Sequence, residues 1–101
     1  FYLSNNQLIS LKGIQKIVKG DFSITNNKLK SLEYAPNEIK GCFYCNGNNL
    51  TSLLNSPKKI GGSFNCSVNN LTSLEGIPEK INGNLIRIKN KLISLFNEFP
   101  Y

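Results

Sequence analysis

Short bursts of apolar and polar residues alternate along this chain, and the bursts return every 21 residues. One Asn marks the period: Asn6, Asn27, Asn48, Asn69 and Asn90, with NNLTSL present verbatim at 48–53 and again at 69–74. Ahead of each Asn stands a large apolar residue, Phe1, Phe22, Phe43, Phe64 or Leu85, followed two places on by Leu3, Ile24, Cys45, Cys66 or Arg87. Alternation at period two predicts a short strand with both columns facing inward. Behind the Asn come two Leu columns, Leu8, Leu29, Leu50, Leu71, Leu92 and Leu11, Leu32, Leu53, Leu74, Leu95, and then Val18, Ile39, Ile60 and Ile81. Five apolar positions per unit, recurring at a fixed period, predict a solenoid in which each repeat buries its apolar face only against its neighbours.

The polar columns have structural readings of their own. Asn is a poor strand former, but its carboxamide both donates and accepts, so a stacked Asn column is expected to bond the backbone groups left unpaired where each strand bends into its loop. Ser10, Ser31, Ser52, Ser73 and Ser94 sit between the Leu columns, where a hydroxyl bonds locally to a turn. Pro36, Pro57 and Pro78 punctuate the second half of each unit, and Gly20, Gly41, Gly62 and Gly83 precede each new strand. The glycines are expected at unusual backbone angles, and the back segment has room only for extended stretches, turns or a single 3₁₀ turn.

The units therefore begin at 1, 22, 43, 64 and 85, the last incomplete. The chain contains no Met and Phe1 falls inside a repeat, so the 101 residues read as a single solenoid that is a piece of a longer chain or a processed product.

The series Phe43-x-Cys45-x-x-Asn48-x-Leu50-x-x-Leu53-x-x-x-Pro57-x-x-Ile60 resembles the leucine-rich repeat, in the short form found in bacterial and bacteriophage members. The resemblance spans essentially the whole chain. It departs from the common pattern in carrying Phe and Cys where Leu is usual and in the placing of Ile60. It implies a mainly-β repeat solenoid with short parallel strands in one curved sheet and irregular back segments; the alternative is a parallel β-helix, which also stacks coils of this length and carries Asn ladders. It also implies a non-catalytic scaffold whose concave sheet face recognises a protein or a glycan. The alternative role is a structural or decorating subunit of a larger assembly, such as a phage particle or surface filament. An extracellular, cell-surface or virion-associated setting is favoured over the cytoplasm.

If the strands face inward at their first and third positions, the intervening residues line the binding face. These include Tyr2, Ser23, Tyr44 and Asn65 in one column and Thr25, Asn46 and Ser67 in the next. Small polar side chains with two Tyr make an adaptable contact surface rather than an electrostatic one.

Charge alters this picture little. Eleven Lys and one Arg against six acids leave +6, with no His. Nucleic-acid readers use Arg forks and exposed aromatics, so nucleic acid is disfavoured as a partner. Lys16, Lys19, Lys40, Lys58, Lys59 and Lys80 fall in the back half of the units, interspersed with Glu38 and Glu79, and read either as a solubilising edge or as a docking stripe for an acidic partner. No apolar run is long enough to span a bilayer.

Cys45 and Cys66, one period apart in an inward column, read as core thiols. Cys42-x-x-Cys45 has the spacing of a metal knuckle, but strand alternation sends the two thiols to opposite sides and there is no second pair, so neither metal nor cofactor is expected. Three sequons begin at Asn49, Asn65 and Asn70, two of them generated by the repeat itself. Nothing pairs a nucleophile with a base, and no catalytic residue is assigned.

The fifth unit is atypical: Arg87 takes an inward slot, Ile86 and Ile88 take exposed ones, and Pro100 arrives one residue late. Either the strand slips by one residue, turning both Ile inward, or the two Ile form an apolar patch. At the other end Phe1 and Leu3 present an uncapped core edge, expected to be covered by further chain or by a neighbouring subunit.

Overall fold

A computed structural model describes residues 1–92. The expected fifth-unit positions Ser94, Leu95 and Pro100 lie outside the described residues. The chain is a mainly-β solenoid of parallel stacked coils, with no helix among the described residues. The second, third and fourth repeats each contribute two strands and the first and fifth one each, giving β1 (Ile17–Val18), β2 (Phe22–Ser23), β3 (Glu38–Ile39), β4 (Phe43–Tyr44), β5 (Lys59–Ile60), β6 (Phe64–Asn65), β7 (Lys80–Ile81) and β8 (Leu85–Ile86). Even-numbered strands form one parallel sheet in the order β2-β4-β6-β8, and odd-numbered strands form another in the order β1-β3-β5-β7. The first is called the Phe sheet and the second the Ile sheet, after their inward residues. A parallel bridge between Tyr2 and Ser23 extends the Phe sheet into the first coil.

Register follows the period. Phe22 pairs with Phe43, Phe43 with Phe64 and Phe64 with Leu85, while Val18 pairs with Ile39, Ile39 with Ile60 and Ile60 with Ile81. Stacking thus places like on like. The rings of Phe22, Phe43 and Phe64 lie nearly parallel at centroid spacings of 5.6 and 5.3 Å, and Phe1 continues the column at 5.5 Å, tilted by 32°. With Ile24, Cys45, Cys66, the two Leu columns and the Ile column, these rings make one continuous core. Each fully buried Leu, Ile or Phe side chain stabilises the fold by about 1.5–3 kcal/mol relative to exposure.

The back segment, where irregular chain or extended stretches were both open, takes the extended course often enough to pair as the Ile sheet. Its strands are only two residues long and join the Phe sheet through the Gly column. Those glycines differ from expectation. Gly20, Gly41, Gly62 and Gly83 do not have positive φ; three of them are needed because coils touch there. Gly41, Gly62 and Gly83 each donate an N–H to the carbonyl of the glycine one coil earlier, at 2.9–3.0 Å. A Cβ on Gly41 would sit 2.8 Å from the Gly20 carbonyl carbon, and one on Gly62 2.6 Å from Cys42 Sγ.

Left-handed backbone falls in two other columns and, outside them, at Gln7. Asn5, Asn26, Gly47, Val68 and Lys89 precede the Asn column with φ between 53° and 75°, and Gly13, Tyr34, Asn55 and Gly76 occupy the back turn with φ between 68° and 92°. Val68 is the strained member, because a β-branched side chain strongly disfavours this region.

In the fifth unit Leu85 and Ile86 keep the register of Phe64 and Asn65. The one-residue slip is thereby excluded: Arg87 remains in the inward column, half-buried, while Ile86 and Ile88 are 38 % and 64 % exposed. Among the described residues no helix is long and apolar enough to cross a membrane.

Candidate functional site

The Asn column is wired identically from coil to coil. Asn48 Nδ2 donates to its own coil at the Cys45 carbonyl and to the preceding coil at the Ile24 carbonyl, both at 3.0 Å, and Asn48 Oδ1 accepts the Leu29 N–H at 3.1 Å. Asn27, Asn69 and Asn90 repeat this pattern, reaching back to the carbonyls of Leu3, Cys45 and Cys66 and to the N–H groups of Leu8, Leu50 and Leu71. Asn27, Asn48 and Asn69 are buried and Asn90 is half-buried. Asn6, which opens the column, is exposed. Each carboxamide therefore ties two coils together at the bend after the strand, where backbone groups otherwise lack partners. Ser10, Ser31, Ser52 and Ser73 each accept the N–H two residues ahead, at 3.0–3.3 Å, closing the following turn.

A third polar column, Asp21, Cys42, Ser63 and Asn84, is placed by the sequence among those lining the outer strand face, and it too is bonded from coil to coil. Asp21 Oδ1 accepts the Cys42 N–H at 2.8 Å, Cys42 Sγ the Ser63 N–H at 3.3 Å and Ser63 Oγ the Asn84 N–H at 3.0 Å. Asp, Cys and Ser differ in charge and size but share a short side chain ending in an acceptor. That shared property was the signal available in the sequence.

These columns frame the outer face of the Phe sheet. Tyr2 is 67 % exposed and Tyr44 half-buried, in one column two strands apart, a separation of about 10 Å at ordinary strand spacing. Tyr2 Oη lies 3.5 Å from Asp21 Oδ2. A side-chain hydrogen bond with Cys42 raises the Tyr44 phenol above its ordinary value, reinforced by charge on Cys42, partial desolvation, Asp21 and Tyr2. Thr25, Asn46 and Asn65 are half-buried beside them, and Asn46 Oδ1 is buried with no hydrogen-bond partner.

Two residues expected on this face are withdrawn from it. Ser23, flanked in register by Tyr2 and Tyr44, is buried and shares a hydroxyl triangle with Ser4 and Thr25 at 2.8–3.4 Å. Ser67 is buried and donates through Oγ to Asn65 Oδ1 at 2.6 Å. Both position their neighbours rather than offering a contact.

The thiols divide as strand alternation demands. Cys42 faces outward with Tyr44, whereas Cys45 and Cys66 are fully buried, and all three are free. Burial, reinforced by Cys66, pushes the Cys45 thiol well above its ordinary value; burial also pushes Cys66 up to about 11, against a smaller opposing pull from its backbone hydrogen bond and from Arg87. Neutral, enclosed thiols of this kind act as apolar packing. Among the described residues no three His, Cys, Asp or Glu side chains converge on a point that would hold a metal. Of the three sequon asparagines, Asn49 is exposed, while Asn65 and Asn70 are half-buried.

Fold and face together define a β-solenoid whose polar columns are mostly internal ties. Comparisons with protein-family models, with curated proteins and with solved structures find no match to the chain.

Proposed function

We propose that the chain is a non-catalytic binding scaffold of leucine-rich-repeat type, which presents the outer face of the Phe sheet to a protein or a glycan. The observation that carries this reading is the pairing of exposed Tyr2 with half-buried Tyr44 on a rigid ladder, bordered by Thr25, Asn46 and Asn65. Aromatic rings with fixed polar neighbours supply contact area at small entropic cost. The leucine-rich-repeat assignment rests on the Asn and Leu columns and the Leu-x-x-Leu-x-x-x-Pro segment. Screening the protein against immobilised neutral oligosaccharides and peptides tests the proposal. A ligand whose affinity drops about tenfold or more in Tyr44→Ala and Asn65→Ala, as expected for anchors at the centre of an interface, supports it; unchanged binding by both variants contradicts it.

A further inference from the structure

The Ile sheet carries an outward chemistry unlike that of the Phe sheet. Its outward residues are Ile17, Glu38, Lys59 and Lys80, consecutive partners across the four strands. The next outward column runs Lys19, Lys40, Gly61, Asn82. Gly61 interrupts it for a packing reason: a Cβ there would press on the Lys40 backbone, 2.9 Å from its carbonyl carbon. Beside this glycine lies a cleft of about 380 Å³, lined chiefly by Glu38, Lys40, Lys59, Lys80 and Asn82.

The acids near this cleft are already engaged. Glu38 pairs with Lys40 at 2.9 Å, and that hydrogen bond, with the charges of Lys40 and Lys59, holds the Glu38 carboxyl below its ordinary value. Glu79 lies 3.6 Å from Lys58. Lys59 and Lys80, directly partnered across β5 and β7 and both exposed, have no ion pair among the described residues. Like charges directly opposite each other in a ladder are destabilising; Glu38, across the ladder from Lys59, offsets part of this, and no ion pair reaches Lys80 among the described residues.

We propose that this cleft is an anion site, and that its ligand is an acidic polysaccharide whose carboxylate or sulfate groups lie along the Ile sheet. Lys59 and Lys80 hold one such group between them, and Asn82 supplies an amide to a sugar hydroxyl. Lys59 and Lys80 stand one strand spacing apart along the solenoid axis with Lys40 in the adjacent column, an extended arrangement that matches a linear polymer carrying several charges better than a compact anion. No aromatic side chain or Arg borders the cleft, so it lacks the stacking platform and the bidentate fork that nucleic-acid binding uses. The site is independent of the Tyr face.

The test titrates the protein with dextran sulfate, and with neutral dextran as control, at several salt concentrations. Binding to dextran sulfate alone is expected, weakening steadily as salt rises. Lys59→Glu/Lys80→Glu should weaken it about tenfold or more, as removal of a steering charge pair does, and the milder Lys59→Gln/Lys80→Gln should weaken it less while keeping the native circular dichroism. Lys28→Glu/Lys30→Glu, the same charge change on exposed residues elsewhere in a coil, should leave it nearly unchanged, as should Tyr44→Ala. Absence of binding at low salt, equal losses in the Lys28/Lys30 and Lys59/Lys80 variants, or tighter binding of a single-stranded oligonucleotide of equal charge would each overturn the proposal.

Discussion

The two sheets are built on the same period and the same parallel register, yet they diverge wherever a side chain leaves the core. Inside, both repeat one residue type: Phe on Phe in one, Ile on Ile in the other. Outside, the Phe sheet shows Tyr, Ser and Asn tied by hydroxyl and amide hydrogen bonds, while the Ile sheet shows Lys and Glu, with the Glu38–Lys40 and Lys58–Glu79 ion pairs at its margins. Stacking demands a compatible side chain, the same apolar shape or the same acceptor, in columns that pack or bond across coils, and leaves the remaining columns to solvent or to a partner. Residues outside the packed and bonded columns are therefore the ones free to carry recognition.

The comparison breaks first at the core. Phe43→Ala removes the central stacked ring, buried on both sides by Phe22 and Phe64. A loss of about 3–5 kcal/mol is expected for such a truncation, enough to unfold a solenoid of this size in a thermal melt. Alkaline pH sharpens the contrast next, because the buried thiols belong to the Phe-sheet strand segments. Cys66 has a folded value near 11 against an ordinary value near 9. The unfolded chain therefore releases its proton first, so this contribution is complete below pH 9 and is lost as pH rises through 11. A melting temperature falling over that interval, and falling less in Cys66→Ala than in the native protein, checks the sign.

Gly62→Ala is expected to cost about 1–3 kcal/mol by overpacking, since its Cβ would meet Cys42 Sγ and the backbone beside it. Denaturant titration reads this directly. Val68→Gly should act in the opposite sense. Val68 is half-exposed at a φ of 53°, where Gly47 serves one coil earlier, and relief of backbone strain offset by glycine's entropy should leave a gain of about 1 kcal/mol. On the outer faces, Lys59→Thr should change stability by no more than about 0.5 kcal/mol.

Much of this architecture was legible because periodicity aligns residues that touch. Phe43, Leu50, Leu53 and Ile60 recur with their partners at a fixed interval, so their inward placement could be read column by column. Asn48 was legible for a different reason: a poor strand former repeating beside strands has to bond something. The glycines before each strand misled, since Gly62 is required by contact with the previous coil rather than by its own dihedral angle, and a single-chain pattern does not separate the two causes. The Ile sheet was hidden because Lys59 and Lys80 are weak strand formers whose pairing comes from register imposed by the core. Asp21, Cys42 and Ser63 could be placed on the outer face, but their bonding between coils could not be read because their common feature is an acceptor atom rather than a residue class. On the candidate face, Tyr2, Tyr44 and Asn65 could be listed from alternation, but the burial of Ser23 depends on the size of its cross-strand neighbours, which alternation does not weigh.

Asn48 and Asn49 are neighbours of the same chemistry with opposite surroundings. Asn48 is buried and bonded to two coils, and Asn49 is exposed. Equilibrium unfolding of Asn48→Ala and Asn49→Ala under identical conditions tests most directly whether the solenoid is held by its internal polar columns. A loss of about 1–3 kcal/mol is expected for Asn48→Ala, from buried backbone groups left unpaired, against a change within about 0.5 kcal/mol for Asn49→Ala. Equal losses in the two variants, or an unchanged unfolding curve for Asn48→Ala, would contradict the account.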